Sequence, residues 1–389
     1  MRASPPAAAQ TTDRLRRTEG APGPPDSLAA PFPDTSFLNV GGALRFNAFV
    51  KNWEGEDDNR NRGGDLAFDT WRIDVDGRRD RLFFSLQYRF YAGYHMLQHG
   101  YVGYEITPAS ELLVGVHQVP FGNLPYASHN WFFSIPYYVG LEDDYDAGLK
   151  YRGRWGNWNL ALAFYKNSEG SYSGDSPQSA RYSYDVVGDQ EELNQGNVRL
   201  AYHFGDTEVG ASAQYGGLYN METDAFGRRR AAALHLRGDY GRFHLKAESI
   251  YMDYDPARTP GLNPQTVTMG AYDFPYEVAA EGGLHVLGLS YSWPVRWGPF
   301  TGITAYNDLS LFQKAAPGFR DSQMNVSGFM LEGNGLYVYT DLAQGRSHPW
   351  IGPVWSQALA DGPGPALENR RRDDLDWAVR FNMNLGYYF

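Results

Sequence analysis

The last sixteen residues of the chain, 374–389, read Asp-Leu-Asp-Trp-Ala-Val-Arg-Phe-Asn-Met-Asn-Leu-Gly-Tyr-Tyr-Phe. From Trp377 to Phe389 every second residue is apolar, and the residues between them are small or polar. Successive side chains of a β-strand point to opposite faces, so this pattern predicts a strand with one apolar face and one polar face. Such a strand separates an apolar medium from water.

The composition is rich in aromatic residues but not hydrophobic on average. The 389 residues include 28 Tyr, 22 Phe and 10 Trp, yet the mean hydropathy is -0.50. No stretch reaches the roughly 18 consecutive apolar residues that a spanning helix needs. A transmembrane strand needs only about ten residues with every second one apolar. The sequence therefore predicts that the chain crosses a membrane with strands.

Alternating runs fill the chain from residue 37 onward, sixteen in all, and the connections between them are alternately short and long. The short connections carry the Gly, Pro, Asn and Asp that tight turns use. An up-and-down antiparallel barrel has this arrangement, with tight turns at one end and long loops at the other. We expect an all-β transmembrane barrel of about sixteen strands, in which the first run closes against the last. The runs are 37–51, 66–77, 80–92, 98–106, 111–119, 144–154, 157–167, 195–204, 207–218, 229–239, 242–253, 277–293, 299–312, 321–331, 335–343 and 374–389. The short connections are Arg78-Arg79, 107–110, Gly156, Gly205-Asp206, Tyr240-Gly241, 294–298 and 332–334.

A large soluble β-sandwich is the alternative to the barrel. Sandwich strands are typically five or six residues long, and nothing in that architecture places a tight turn at every second connection. In a barrel the apolar face meets lipid, and the charged face must line water. Sixteen strands enclose an aqueous channel rather than a filled interior.

Composition also bears on partners and chemistry. The chain has no Cys, which excludes disulfides and thiolate chemistry, and its net charge of -11 argues against a nucleic-acid partner. No nucleophile elbow, zinc-protease pair or phosphate loop occurs, and the nine His are scattered at spacings that do not indicate a metal site. We therefore expect no catalytic residues, metal or cofactor. A lipid-hydrolysing barrel and a structural or adhesin barrel are the competing classes.

Residues 1–35 are rich in Ala and Pro around a short charged segment. This composition is typical of disorder, and the segment lacks the apolar core of a secretory signal. We interpret it as a signal remnant, a periplasmic tail or a misassigned start, and expect the barrel to occupy residues 36–389.

The third long connection, residues 120–143, is too aromatic to lie in water. An exposed apolar patch of this size is normally buried against something. We expect this loop to fold into the lumen and form a constriction that sorts solutes by size and charge. A subunit contact and an outward plug are the alternatives. The candidate constriction residues are Phe121, Tyr126, Trp131, Tyr137, Tyr138, Glu142 and Asp143.

The strand-loop junction Leu113-Val114-Gly115-Val116-His117-Gln118-Val119-Pro120-Phe121-Gly122 resembles the junction before the third loop in the phosphate-selective porin O and P family. The resemblance implies a sixteen-stranded, usually trimeric, passive channel in a bacterial outer membrane. Its implied partners are outer-membrane lipids, lipopolysaccharide and the barrel assembly machinery, which in such barrels reads a terminal aromatic residue, here Phe389.

The family's anion carriers have a ladder of Arg along the wall, and Lys and Arg recur on the polar faces of the strands predicted here. Acidic residues such as Asp74 and Glu248 accompany these cations and neutralise part of the row. We expect a porin for small hydrophilic solutes with weak preference for phosphate-like anions. A carbohydrate-permeable or weakly cation-selective pore, governed by the loop aromatics with Glu142 and Asp143, remains the alternative. The candidate pore-lining residues are Arg45, Arg72, Arg89, Lys150, Arg152, Arg199, Arg237, Lys246 and Arg380.

Overall fold

The computed structural model describes residues 36–52, 59–166, 183–257, 265–272, 274–317, 319–348, 350–352 and 377–389. The segment 1–35, expected to be disordered, lies outside the described residues. Among the described residues, no helix is long and apolar enough to cross a membrane.

Nineteen strands and one short 3-10 helix, Ile135–Val139, make up the described fold. Sixteen strands form a closed antiparallel barrel in which each pairs with its chain neighbours among the sixteen and β1 pairs with β19. The remaining three, β8, β13 and β14, form a separate small sheet. The strands are β1 (Phe37–Lys51), β2 (Asp65–Arg79), β3 (Leu82–Tyr91), β4 (Tyr94–Thr107), β5 (Ser110–Gln118), β6 (Tyr145–Trp155), β7 (Trp158–Tyr165), β8 (Asp185–Val186), β9 (Gln190–Phe204), β10 (Thr207–Asn220), β11 (Ala225–Tyr240), β12 (Phe243–Asp255), β13 (Thr266–Ala271), β14 (Phe274–Ala279), β15 (Glu281–Trp297), β16 (Phe300–Lys314), β17 (Ser322–Gly333), β18 (Leu336–Arg346) and β19 (Ala378–Tyr388). The predicted fold class is confirmed.

The period-2 pattern of the sequence corresponds to an exterior face and an interior face. In β19, Phe381 and Leu385 are exposed, whereas Asn382 and Asn384, which lie between them in the chain, are buried inside the barrel. The same alternation exposes large apolar side chains on every barrel strand. A soluble protein would bury these side chains, so the exterior matches a lipid environment.

Seven two-residue turns connect alternate pairs of barrel strands at one end of the barrel. A two-residue hairpin turn needs residues at positive φ, which Gly and Asn or Asp adopt most easily. Asp80 (φ 54°), Gly205 (φ 55°) and Asn334 (φ 52°) meet this need. Several turns lie one or more residues from the predicted positions, for example at Asp80-Arg81 instead of Arg78-Arg79.

The first and last strands meet at a tightly packed seam. The backbone of Gly42 exchanges two hydrogen bonds with that of Phe389, at 3.0 and 3.1 Å. A Cβ atom at Gly42 would lie 2.4 Å from the carbonyl oxygen of Arg72, so a larger residue there would force β1 away from β2. The predicted closure of the first run on the last is confirmed.

The predicted run 277–293 is wrong at its start. Residues Phe274–Ala279 pair with β13 in the small sheet, and the barrel strand begins only at Glu281. Both faces of β14 are covered, since Tyr276 and Val278 on one face and Ala279 on the other are buried. A continuous apolar run of this kind does not reveal from sequence alone which sheet it joins.

Candidate functional site

Residues 120–143, called the third loop below, lie against inward-pointing side chains of the barrel wall. Backbone N–H groups of the loop donate to wall carboxylates and hydroxyls. Asn123 donates to Glu248 (2.7 Å), and the N–H groups of His129 and Asn130 donate to Asp308 (2.7 and 3.1 Å). Three further backbone N–H groups donate to wall side-chain oxygens, and these bonds are Gly122 to Ser212, Trp131 to Asp341 and Ile135 to Ser310.

Wall cations bind the carbonyl groups at the start of the same loop. Lys246 donates to the carbonyls of Tyr126 (3.0 Å) and Ser128 (2.7 Å). The other three contacts are Arg199 to Gly122, Arg237 to Leu124, and Lys150 to Gln118 just before the loop. Buried polar backbone is costly unless it is hydrogen-bonded, so these charged partners are what allow an irregular loop to lie inside the barrel.

Apolar side chains complete the attachment. Phe132, Ile135 and Val139 of the third loop belong to one buried cluster with Ile250 and Phe312 of the wall. The small sheet joins the same cluster, and the Tyr276 hydroxyl donates to the Tyr138 carbonyl at 2.6 Å. We call this region, formed by the third loop, the small sheet and the inner faces of β10 to β12 and β15 to β18, the packed half of the lumen.

A cavity of 1330 Å³ occupies the rest of the lumen, between the third loop and the inner faces of β1 to β4 and β19, and it continues along the tight-turn ends of β12 and β15 to β18. We call it the open half. Its lining reaches from Lys51 and Gly352 at the long-loop end to Arg242 and Glu332 at the tight-turn end. The cavity therefore runs along the barrel axis.

The charges that line the cavity are unequal in number. Among the described residues, seven Lys or Arg side chains line it, compared with four Asp or Glu side chains. Some pair with each other, since Arg45 Nε lies 2.9 Å from Asp69 Oδ2. The cations are Arg45, Lys51, Arg72, Arg89, Arg242, Lys246 and Arg380, and the carboxylates are Asp69, Asp143, Asp239 and Glu332.

Five of the nine candidate pore-lining cations line the cavity, and four lie outside it. Those on the cavity are Arg45, Arg72, Arg89, Lys246 and Arg380, and those outside it are Lys150, Arg152, Arg199 and Arg237. All nine side chains point into the barrel. Of the four that do not line the cavity, three donate to carbonyl groups of the third loop or of the region just before it, and Arg152 pairs with Glu111.

Only some of the candidate constriction residues of the third loop line the cavity. Tyr126, Trp131, Tyr137, Tyr138 and Asp143 line the cavity. Phe121 is instead buried in the apolar cluster of the packed half.

Glu142 does not face the pore. Its carboxylate is buried inside the third loop and accepts hydrogen bonds from the Ala127 N–H (3.0 Å) and the Ser134 hydroxyl. Burial raises the pKa of Glu142 to about 7. Of the two loop carboxylates that the sequence assigned to the pore, only Asp143 lines the cavity.

Arg380 sits in an aromatic box that sequence reasoning missed. Its guanidinium carbon lies 4.5 Å from the ring centre of Phe49, 5.3 Å from those of Phe132 and Trp350, and 5.9 Å from that of Trp131. Arginine over aromatic faces is attracted by the ring quadrupole, more strongly where water is partly excluded. The rings come from β1, the third loop and the segment after β18, so no local pattern could show the box.

Comparison with solved structures identifies the same fold in bacterial porins. OmpT of Vibrio cholerae in its trimer form, an outer membrane protein, superposes with a TM-score of 0.58 at 13% identity over 92% of this chain and 100% of that one. An anion-selective porin from Comamonas acidovorans gives a TM-score of 0.58 at 12% identity, over 91% of this chain and 100% of that one. The outer membrane channel DcaP of Acinetobacter baumannii gives 0.55 at 10% identity, over 91% and 97%.

At these identities the likeness shows a shared fold. No family model and no curated protein sequence matches the chain. The closed barrel and its porin neighbours are consistent with a place in the bacterial outer membrane.

Proposed function

We propose that the protein is an outer-membrane porin, a passive diffusion channel for small hydrophilic solutes with a weak preference for anions. The observation that carries this proposal is the axial cavity with its excess of cationic side chains. A permeating ion inside a narrow tube with low-dielectric walls responds to the wall charges more strongly than to loop charges in open solvent. Phosphate-like anions fit the forked donors of Arg45, Arg72 and Arg89.

The surroundings of the arginines support a weak preference over a strong one. Arg45 pairs with Asp69, and Arg72 Nε lies 3.0 Å from Asp74 Oδ2. Arg89 Nε donates to the side-chain oxygen of Gln87 at 2.6 Å. A guanidinium group beside a carboxylate attracts a passing anion less than it would without that carboxylate. The fold likeness to an anion-selective porin agrees with this direction of selectivity.

A sugar-permeable pore is the second candidate, favoured by the aromatic side of the cavity. Tyr126, Trp131, Tyr137 and Tyr138 of the third loop line it together with the arginines. Aromatic rings stack on the apolar faces of sugar rings, while arginine and amide groups bond hydroxyls. The same cavity could serve both solutes.

We further propose a homotrimer embedded among outer-membrane lipids and lipopolysaccharide. The apolar exterior supports the membrane setting, and the trimer form of OmpT supports the oligomer. We also propose that the barrel assembly machinery recognises the exposed ring of Phe389.

Planar-bilayer recording of the purified full chain tests the proposal. We expect discrete conductance steps, and a reversal potential in a potassium chloride gradient that has the sign of anion preference. Liposome swelling with neutral sugars of graded size measures the second candidate. A folded barrel that gives no steps and no swelling would contradict the channel, and a cation-directed reversal potential would contradict the anion preference.

A further inference from the structure

Two histidines that are 115 residues apart in the chain meet at the edge of the cavity. His129 belongs to the third loop and His244 to β12, and both line the cavity. His129 Nε2 lies 2.8 Å from His244 Nδ1, and the two rings are almost perpendicular, at 89°. One nitrogen of each ring therefore points at the same place.

The remaining nitrogen of each ring points toward a carboxylate. His129 Nδ1 lies 2.7 Å from Asp308 Oδ1, and His244 Nε2 lies 3.9 Å from Asp239 Oδ1. A carboxylate behind an imidazole holds the proton on that nitrogen, so the lone pair is on the other one. Asp308 in particular leaves His129 Nε2 as the lone-pair nitrogen, aimed at His244.

We propose that His129 and His244 form a binding site for a divalent transition-metal cation such as Zn²⁺, open to the lumen of the pore. Imidazole nitrogen suits Zn²⁺, Ni²⁺ and Cu²⁺ and does not suit Mg²⁺ or Ca²⁺, which prefer oxygen ligands. The two histidines supply two ligands, and water in the cavity completes the coordination. The site is therefore an open one, unlike a closed structural zinc site.

The geometry requires a small adjustment. A tetrahedral ion with Zn–N bonds of about 2.1 Å holds two ligand nitrogens about 3.4 Å apart, so the 2.8 Å separation must widen by roughly half an ångström. Binding replaces the hydrogen bond between the rings with the ion: His244 Nδ1 gives up its proton to solvent while His244 Nε2, which faces Asp239, takes one up, so both imidazoles stay neutral. The side chain of His244 is 24% exposed, so its imidazole has room to turn toward the cavity.

Gly288 of β15 makes the arrangement possible. A Cβ atom at this position would lie 2.3 Å from Asp308 Oδ1 and 3.0 Å from His129 Nδ1. Any larger residue would displace the carboxylate that orients His129.

A cation at this place would connect the third loop directly to the barrel wall. It would also add positive charge beside Lys246, whose ammonium already binds two loop carbonyls in the same region. We therefore expect bound Zn²⁺ to partly block cation passage and to leave the barrel folded.

Zn²⁺ binding is measured directly on the untagged full chain, refolded in detergent, by isothermal titration calorimetry at pH 7.5. This readout does not depend on whether the barrel conducts. We expect one Zn²⁺ per chain. His129→Gln and His244→Gln should each weaken binding more than tenfold, while Mg²⁺ should give no heat in any variant.

His99→Gln is the matched control. His99 also lines the cavity, but its two nitrogens bond to Ser85 (2.7 Å) and Gln98 (2.5 Å) instead of to another histidine. This variant should bind Zn²⁺ as the parent chain does. Because His129→Gln removes a loop contact, the His244→Gln variant, which leaves the Asp308 hydrogen bond to the His129 N–H in place, decides the matter.

Co²⁺ gives an independent measurement, since its visible absorption reports nitrogen ligation and reduced coordination number. Gain of this band in the parent chain and its loss in His244→Gln would support the site. Absence of stoichiometric Zn²⁺ uptake by the parent chain, or equal uptake by His244→Gln and the parent, would overturn it. Heat-modified migration in gel electrophoresis confirms that each variant is folded.

Discussion

Charged side chains point inward from the strands in both the packed half and the open half of the lumen, but their contacts differ between the two halves. In the packed half, Arg237 of β11 and Glu248 of β12 bind the backbone of the third loop, at Leu124 and Asn123. In the open half, Arg45 and Arg89 line the cavity. What separates structural from solute-facing charge is whether an irregular segment lies over it.

Two arginines show the contrast most clearly. Arg229 of β11 is completely buried, lies beside Asp185 and Glu192, and donates to the Gly140 carbonyl at 3.0 Å. Arg45 of β1 lies at the cavity surface beside Asp69. Both point into the barrel from strands with the same alternating pattern, yet only Arg45 lines the cavity.

Removing the third loop should have the largest effect. Deletion of residues 123–140 takes away the segment that fills one side of the lumen, while all sixteen barrel strands remain paired. We expect single-channel conductance to rise severalfold in planar bilayers. The deletion variant should still migrate differently in gel electrophoresis before and after heating, which shows that the barrel is folded. The deletion also exposes Ile250 and Phe312 to water, so thermal stability should fall. Unchanged conductance in a folded deletion would show that the open half alone sets the resistance.

A matched pair of arginine substitutions compares the two halves by stability. Arg229→Gln leaves buried carboxylates without their cation, which should cost roughly 3–5 kcal/mol of unfolding free energy. Arg45→Gln breaks a pair at the cavity surface, whose side chains are 16% and 10% exposed, and should cost less because solvent in the cavity can reach Asp69. Urea unfolding in detergent, followed by tryptophan fluorescence, measures both. Equal losses would remove the distinction between the halves.

Much of the fold follows from the sequence because alternation and turn chemistry are local. All sixteen runs correspond to barrel strands, although their ends move by a few residues. The turn expected at 294–298 lies instead at Gly298-Pro299, because β15 continues past Pro294 through a register shift. Proline lacks an N–H donor, so it indicates either a turn or such an irregularity.

The division of the lumen could not be predicted in the same way. The alternation along each strand indicates that Arg199 and Arg89 both point inward. Only the path of the third loop decides that Arg199 binds the Gly122 carbonyl whereas Arg89 lines the cavity. The small sheet has strands of two to six residues, too short for a clear pattern. The meeting of His129 and His244 likewise depends on that path.

Ion selectivity tests the open half. Arg89→Gln and Arg45→Gln each remove a cation from the cavity lining, so the reversal potential in a salt gradient should move toward cations. Arg152→Gln is the control, because Arg152 pairs with Glu111 outside the cavity and should leave the potential unchanged. The shifts should shrink at high salt, since screening shortens to about 3 Å at 1 M. A shift in Arg152→Gln equal to the others would mean that the cavity lining does not set selectivity.

The smallest expected effect concerns pH and the packed half. Burial raises the pKa of Glu142 from its ordinary value of 4.5 to about 7. A carboxyl with a raised folded-state pKa binds its proton more tightly when folded, so its contribution to stability is complete below pH 4.5, is lost between 4.5 and about 7, and stays constant above. We expect the third loop to loosen modestly from pH 5 to pH 8, as followed by the fluorescence of tryptophans such as Trp131.

Glu142→Gln should reduce that pH dependence, because an amide stays neutral while its oxygen still accepts from the Ala127 N–H. The variant should be at least as stable as the parent chain at pH 8 and no more stable at pH 4. Asp143→Asn, at the neighbouring position on the cavity, is the matched control and should preserve the slope between pH 5 and 7. If Glu142→Gln kept the parent slope, another group in the packed half would carry the titration, and the buried carboxyl would not be what makes the loop sensitive to pH.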